Sequence, residues 1–245
     1  MFPIRDTIPT RRFPIVNACL IGLNILAFLL QLSLSEEELI QLVYTYGVVP
    51  ANYGGTDLLA GGFLPFLSCM FLHGGWMHLI GNVWTLYIFG DNVEDRLGRW
   101  QYIGFYLVSG IAASIAHILF NAGSDVPVIG ASGAISGVMG AYLVFYPKSK
   151  ITMLFPIFYI PFFFRISSFI YLGYWLVLQL FNGTTSLMTD NPVDNVAFWA
   201  HIGGFVAGIA LALLFRYKQF SPPETYQTHK RPPKPFVQGK FRENW

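Results

Sequence analysis

The chain has 245 residues, a net charge of only +2, a mean hydropathy of +0.50 and 23 phenylalanines. A soluble domain of this length needs more polar surface to cover its core, whereas long apolar stretches with few charges read as membrane-spanning helices. The two cysteines, Cys19 and Cys69, exclude a disulfide framework, and no nucleic-acid partner is expected.

In chain order the apolar runs predict six spans: Ile15–Leu34, Trp76–Gly90, Tyr102–Phe120, Ser132–Phe145, Ser168–Phe181 and Val196–Phe215. The first is too long for a signal-peptide core and no small-residue cleavage site follows it, so no cleaved signal is expected. The first loop, Ser35–Gly75, mixes Gly, aromatic and apolar residues and is expected on or in the outer leaflet. Ile151–Phe164 is apolar but carries Pro156 and Pro161, which break helix geometry; it reads as an interfacial or dipping connection. The tail Ser221–Trp245 is Pro-rich and basic, and reads as disordered, a topology and surface anchor. The expected division is a cytoplasmic segment 1–14, a six-helix domain 15–216 and a cytoplasmic tail 217–245.

Basic residues test the span count. Arg5, Arg11 and Arg12 precede the first span, Arg96 and Arg99 follow the second, and Lys148, Lys150 and Arg165 follow the fourth. The rest, from Arg216 to Arg242, follow the sixth. With six spans all 15 Lys and Arg fall on one side, which the positive-inside rule makes the cytoplasm for both termini.

Polar groups at membrane depth then stand out. Ser132–Phe145 has 14 residues and rises about 21 Å against a hydrocarbon core of roughly 30 Å. With its inner end held by Pro147 and Lys148, its outer end begins below the surface. The backbone leading into it, Val128–Ala131, then lies at membrane depth, where irregular chain is tolerated only inside protein or beside a water-filled cavity. Ser132 sits about 9 Å down, and His201, five residues into the sixth span, about 8 Å down. His78 and Asn82 are spaced i, i+4 and share a helix face in the same outer half. A serine hydroxyl becomes a useful nucleophile when a neighbouring base takes its proton. Neutral His201 can be that base, while His78, Asn82 and the Ser132 backbone N–H can donate to an oxyanion. No Asp or Glu stands in spans two, four or six, so the arrangement is a dyad rather than a triad. Gly133, Gly137 and Gly140 in span four, and Gly203, Gly204 and Gly208 in span six, let two backbones approach closely, as a Ser–His hydrogen bond requires.

Each residue also has a plainer reading. Ser132 alone could be a small packing residue, and His78 and Asn82 interhelical glue. His117 is the rival base, and His73 reads as structural. Glu94 and Arg96 read as bracing a cytoplasmic turn.

Four motifs in order resemble the rhomboid family, from about Phe71 to Gly208. Gly130-Ala131-Ser132-Gly133 looks like its GxSG nucleophile motif, and Ala200-His201-Ile202-Gly203-Gly204 with Gly208 like its base motif. His78-Leu79-Ile80-Gly81-Asn82 is similar to its oxyanion motif, and Asn92-Val93-Glu94-Asp95-Arg96-Leu97-Gly98 resembles its polar turn after span two. One departure is Leu64-Pro65, where many members carry Trp-Arg. The resemblance implies an all-α, six-transmembrane-helix bundle of a prokaryotic inner membrane. It implies cleavage of transmembrane protein substrates near their extracytoplasmic end, with no metal or cofactor. Two alternatives are an inactive relative that binds client transmembrane helices, and a transporter; the latter predicts internal repeats and mid-membrane charges, neither of which is seen.

Overall fold

The computed structural model describes residues 2–53, 61–157, 160–188 and 197–218. The Pro-rich tail beyond Lys218 and the start of the sixth predicted span lie outside them. The helices are α1 Ile15–Gln31, α2 Glu36–Tyr46, α3 Leu64–Ser68, α4 Trp76–Leu97, α5 Arg99–Phe120, α6 Ser132–Phe145, α7 Ser168–Met188 and α8 Phe198–Lys218. Each predicted span has its helix, with α4 and α7 running further than their apolar cores. Among the described residues, Arg99–Phe120 and Phe198–Phe215 are long and apolar enough to cross a membrane; Ile15–Gln31 and Ser132–Phe145 are apolar but shorter.

The fold is not all-α. A three-stranded antiparallel sheet, in the order β1-β2-β3, joins β1 (Phe2–Asp6) to the pair β2 (Lys150–Ile157) and β3 (Ile160–Ser167). The connection expected to dip or lie at the interface is this strand pair. Its β-branched and aromatic residues favour pleated backbone, and Pro156 faces Pro161 near its far end, where fewer ladder bonds are lost. Residues 2–6 form its edge, so this part of the N-terminal segment belongs to the folded body.

Helix α6 is the axis of the bundle, buried without interruption from Gly133 to Tyr142. Glycine makes that possible. A Cβ on Gly208 would lie 2.0 Å from the Gly137 carbonyl oxygen, and one on Gly140 would lie 2.3 Å from that of Phe205. Backbone therefore packs on backbone between α6 and α8, the contact that small residues permit. On the other side, Gly137 lies against Ser109 of α5.

At the opposite end of α6 from Ser132, polar groups lock α1 to α4 and α5. Helix α1 follows Pro14 and has no side-chain cap of its own. The buried Glu94 carboxylate of α4 accepts from the backbone N–H groups of Val16 (3.2 Å) and Asn17 (2.7 Å), satisfying orphan donors at the positive end of that helix. Asn17 in turn donates to the Leu86 carbonyl and accepts from the Tyr102 hydroxyl. Gly98, at φ +85, turns the chain from α4 into α5. Glu94 thus braces this end, while Arg96 lies over the Phe145 ring. The first loop is more structured than its composition suggested: Ser35 and Glu38 form a capping box for α2.

Candidate active site

Ser132 opens α6 at the end of an irregular segment that is firmly held. Val128 and Val48 exchange backbone hydrogen bonds of 2.7 and 3.0 Å, and the Gly130 N–H donates to the Cys69 carbonyl at 2.8 Å. Gly130 has φ +125, and a Cβ there would meet His78 Nε2 at 2.5 Å and Ser132 Oγ at 3.6 Å. Only glycine suits both the backbone angle and the space. The same measurement brings His78 to the turn that carries Ser132. The first turn of α6 has no side-chain cap, so its N–H groups point out of the helix end as donors.

Hydrogen bonds assign the tautomers of three imidazoles. His78 Nδ1 accepts from the Gly74 N–H at 3.4 Å, which leaves a proton on Nε2, the nitrogen beside Gly130. His73 Nδ1 lies 3.3 Å from the Phe71 carbonyl, which can only accept. His73 Nε2 is then an acceptor, and accepts a hydrogen bond from the Asn82 amide at 2.9 Å. Burial, with His78 nearby, pushes His73 down to about 4, so it stays neutral. Gln31 clamps its backbone, donating to its carbonyl and accepting from its N–H. The Asn82 amide, buried on α4, keeps one N–H free of His73.

His201 Nδ1 lies 2.8 Å from Gln179 Oε1 on α7. An amide oxygen only accepts, so Nδ1 carries the proton and the Nε2 lone pair is free. The Trp175 ring stands 6.0 Å from the imidazole. Gly133, next to Ser132, packs against Ala200, next to His201, and a Cβ on Gly204 would lie 2.0 Å from the Gly133 carbonyl oxygen. The structure thus brings the α6 and α8 backbones into contact beside both candidates. Among the described residues, no hydrogen bond joins Ser132 Oγ to His201; resting catalytic contacts often tighten only when substrate binds. His117 instead pairs with Asn121.

Gln179 escaped the sequence reading. Its signal was an amide inside an apolar span, near the outer end of Ser168–Phe181, where polar groups are costly. The roles of Gln31 and of the His73–Asn82 pair need the fold, because their residues come from separate segments. Among the described residues, no group of three His, Cys, Asp or Glu side chains is arranged to hold a metal ion.

The apolar helices and the polar groups buried among them define a helical membrane protein with a chemically equipped interior. The rhomboid domain family matches residues 60–218, and the chain belongs to that family. It is 30% identical over 191 residues to RHOMBOID-like protein 5 of Arabidopsis thaliana, covering 72% of this chain and 54% of the relative. It is 33% identical over 162 residues to RHOMBOID-like protein 7 of the same plant, covering 63% and 44%. A shorter match, 30% over 90 residues, is to the mitochondrial presenilin-associated rhomboid-like protein A of Danio rerio. The chain spans about half or less of the length of these relatives.

Proposed function

We propose that this chain is an intramembrane serine endopeptidase that cleaves transmembrane segments of membrane proteins near their extracytoplasmic end. Ser132 is the nucleophile and His201 its base. His78 Nε2–H, the free Asn82 amide proton and the N–H groups opening α6 receive the oxyanion. The observation that carries this reading is the backbone contact of α6 on α8 beside Ser132 and His201. Such closeness is what a side-chain proton transfer between two helices requires.

The reaction follows from the groups present. His201 Nε2 takes the Ser132 proton as Oγ attacks the scissile carbonyl, and Nδ1–H stays on Gln179, which steadies the resulting imidazolium. The tetrahedral oxyanion is met by fixed donors that need no reorganisation. His201 then protonates the departing amine, and water repeats the sequence on the acyl-serine. Gln179 is a positioning residue here, acting through His201.

The same reading takes six spans with both termini in the cytoplasm of a prokaryotic cell, 15–216 as the protease domain and 217–245 as a cytoplasmic tail. The one-sided distribution of Lys and Arg supports this topology. A second reading is an inactive relative that binds client helices.

Cleavage of a single-span reporter in detergent, together with labelling by a fluorophosphonate, separates the two. The wild type is expected to cleave and to be labelled; Ser132→Ala loses both and His201→Ala loses cleavage. Near-wild-type turnover by either variant would overturn the assignment, and a folded wild type that neither cleaves nor labels would establish the inactive reading.

A further inference from the structure

The outward face of the sheet carries a polar arrangement that the proteolytic chemistry does not use. Arg5 on β1 and Arg165 on β3 are both cross-strand partners of Thr152 on β2. Residues directly opposite one another project from the same face of a sheet, so two guanidiniums flank one hydroxyl. With Ile4, Phe163 and Phe164 they line a half-open hollow of about 540 Å³. Thr152 Oγ1 is shielded from solvent and, among the described residues, has no hydrogen-bond partner. Among the described residues, neither arginine is paired with a carboxylate. The adjacent acid, Asp6, alternates to the other face of β1, where it accepts from Tyr142 and Asn92. An unsatisfied hydroxyl is costly, and the guanidiniums on either side of it repel. An anion with several oxygens answers both needs, since arginine forks match phosphate geometry.

The surroundings name the class of anion. The next row on this face is Phe2, Leu154 and Phe163, followed by Pro156 and Pro161. Phe2 and Phe163 of this row are 61% and 57% exposed. Outward from the arginines the strand pair is therefore apolar and open, on a chain whose neighbouring helices face lipid. A free ion has no use for such a wall, but the acyl chains of a phospholipid do. The sheet leads directly from α6 and into α7, at the end remote from Ser132 where Arg96, Lys148 and Lys150 also lie. That end is the cytoplasmic one by the positive-inside rule, and the cytoplasmic leaflet is the one rich in anionic lipid.

We propose that the Arg5–Thr152–Arg165 row binds the phosphate of an anionic phospholipid of the cytoplasmic leaflet, with Phe163 against its acyl chains. The site fastens the edge strand and the β2–β3 pair to the membrane surface. It rests on the topology of the proposed function and not on its chemistry, and its test reads no proteolysis.

Detergent-solubilised full-length protein is titrated with phosphatidylglycerol and, separately, with phosphatidylcholine, and the first bound lipid is followed by native mass spectrometry. The wild type is expected to prefer phosphatidylglycerol. Arg5→Gln with Arg165→Gln lowers phosphatidylglycerol affinity by roughly 10–30-fold, the effect of two surface cations, and leaves phosphatidylcholine unchanged. Thr152→Val loses a smaller part. Should the double glutamine variant fail to fold, Arg5→Lys with Arg165→Lys keeps the charge without the fork and is expected to show an intermediate loss. An equal loss from Arg96→Gln with Arg99→Gln would mean diffuse attraction to the basic end and overturn the site. Inorganic phosphate raising the melting temperature as much as phosphatidylglycerol does would make it a site for the free ion, and overturn the lipid assignment.

Discussion

At His201 the proton on Nδ1 is held by an uncharged amide, where soluble serine proteases use a carboxylate. Gln179 can fix the tautomer and the ring plane but adds no negative charge, so its share of the rate is expected to be modest. Gln179→Leu should lower kcat at least about tenfold, well short of the ~10⁴ lost when a triad carboxylate is neutralised. Gln179→Glu keeps the acceptor and adds charge, which favours the imidazolium; the acid limb of kcat/KM should move to higher pH. A reporter assay across pH measures both, and wild-type kcat with an unmoved profile in Gln179→Leu would reduce the bond to packing. In the proposed reaction Asn82 has two duties, one N–H for His73 and one for the oxyanion. Asn82→Ala should therefore lower both the melting temperature and the turnover per folded molecule, the latter by roughly 10²–10³ if it behaves like a single oxyanion donor elsewhere. Lost stability with unchanged turnover per folded molecule would leave it only the structural duty.

At the scale of elements, the edge strand β1 is fastened by a carboxyl group in an unfavourable place. Asp6 accepts from the Tyr142 hydroxyl at 2.5 Å and from the Asn92 amide at 3.1 Å. Burial, aided by nearby Asp91, outweighs the Tyr142 bond and raises its pKa from 3.8 to about 6. The folded state thus holds this proton more tightly than the unfolded chain does. Its contribution to stability is complete below about pH 3.8 and is lost as pH rises through about 6. Asp6→Asn, which cannot ionise, should lack that loss. Melting curves in detergent from pH 4 to 7 are expected to show the wild type falling relative to Asp6→Asn as pH rises. A constant difference between the two would mean that Asp6 titrates normally.

For the molecule as a whole, the depth of Ser132 dictates the form of substrate in the proposed reaction. A transmembrane helix hides its carbonyls in its own hydrogen bonds and must partly unwind before an extended peptide reaches the serine. With the site about 9 Å below the outer surface, only the outer end of the substrate has to bend inward. Gly or Pro there lowers the unwinding cost. The residue before the cut should be small, because α6 and α8 meet backbone to backbone. Sideways access past α7 or the first loop suits such a substrate; α7 buries only Ser168, Leu172 and Gly183 and holds His201 through a single amide. A reporter series whose outer end changes from Leu-rich to Gly/Ala-rich should be cleaved progressively faster. Equal cleavage throughout, or cleavage at the cytoplasmic end, would contradict this.

Much of this protein was legible before any coordinates. Apolar runs, Lys and Arg placement and glycine spacing are properties of the chain in one dimension, set by bilayer thickness and helix rise. They determined where the long helices lie, with α6 opening at Ser132 as expected, and the motif order pointed to the rhomboid family. What the sequence could not decide were contacts between segments that meet only after folding. The pairing of β1 with β2 joins residues far apart in the chain, and Asp6 reaches Tyr142 across 136 positions. A two-proline apolar stretch can dip, lie flat or pair as strands with equal local logic, and only a partner strand selects the last. The acceptor for His201 likewise depends on how α7 rotates against α8, a choice made by side-chain packing rather than by hydropathy. The arginine row on the sheet follows from register, and a shift of one residue would have turned Arg5 and Arg165 to opposite faces.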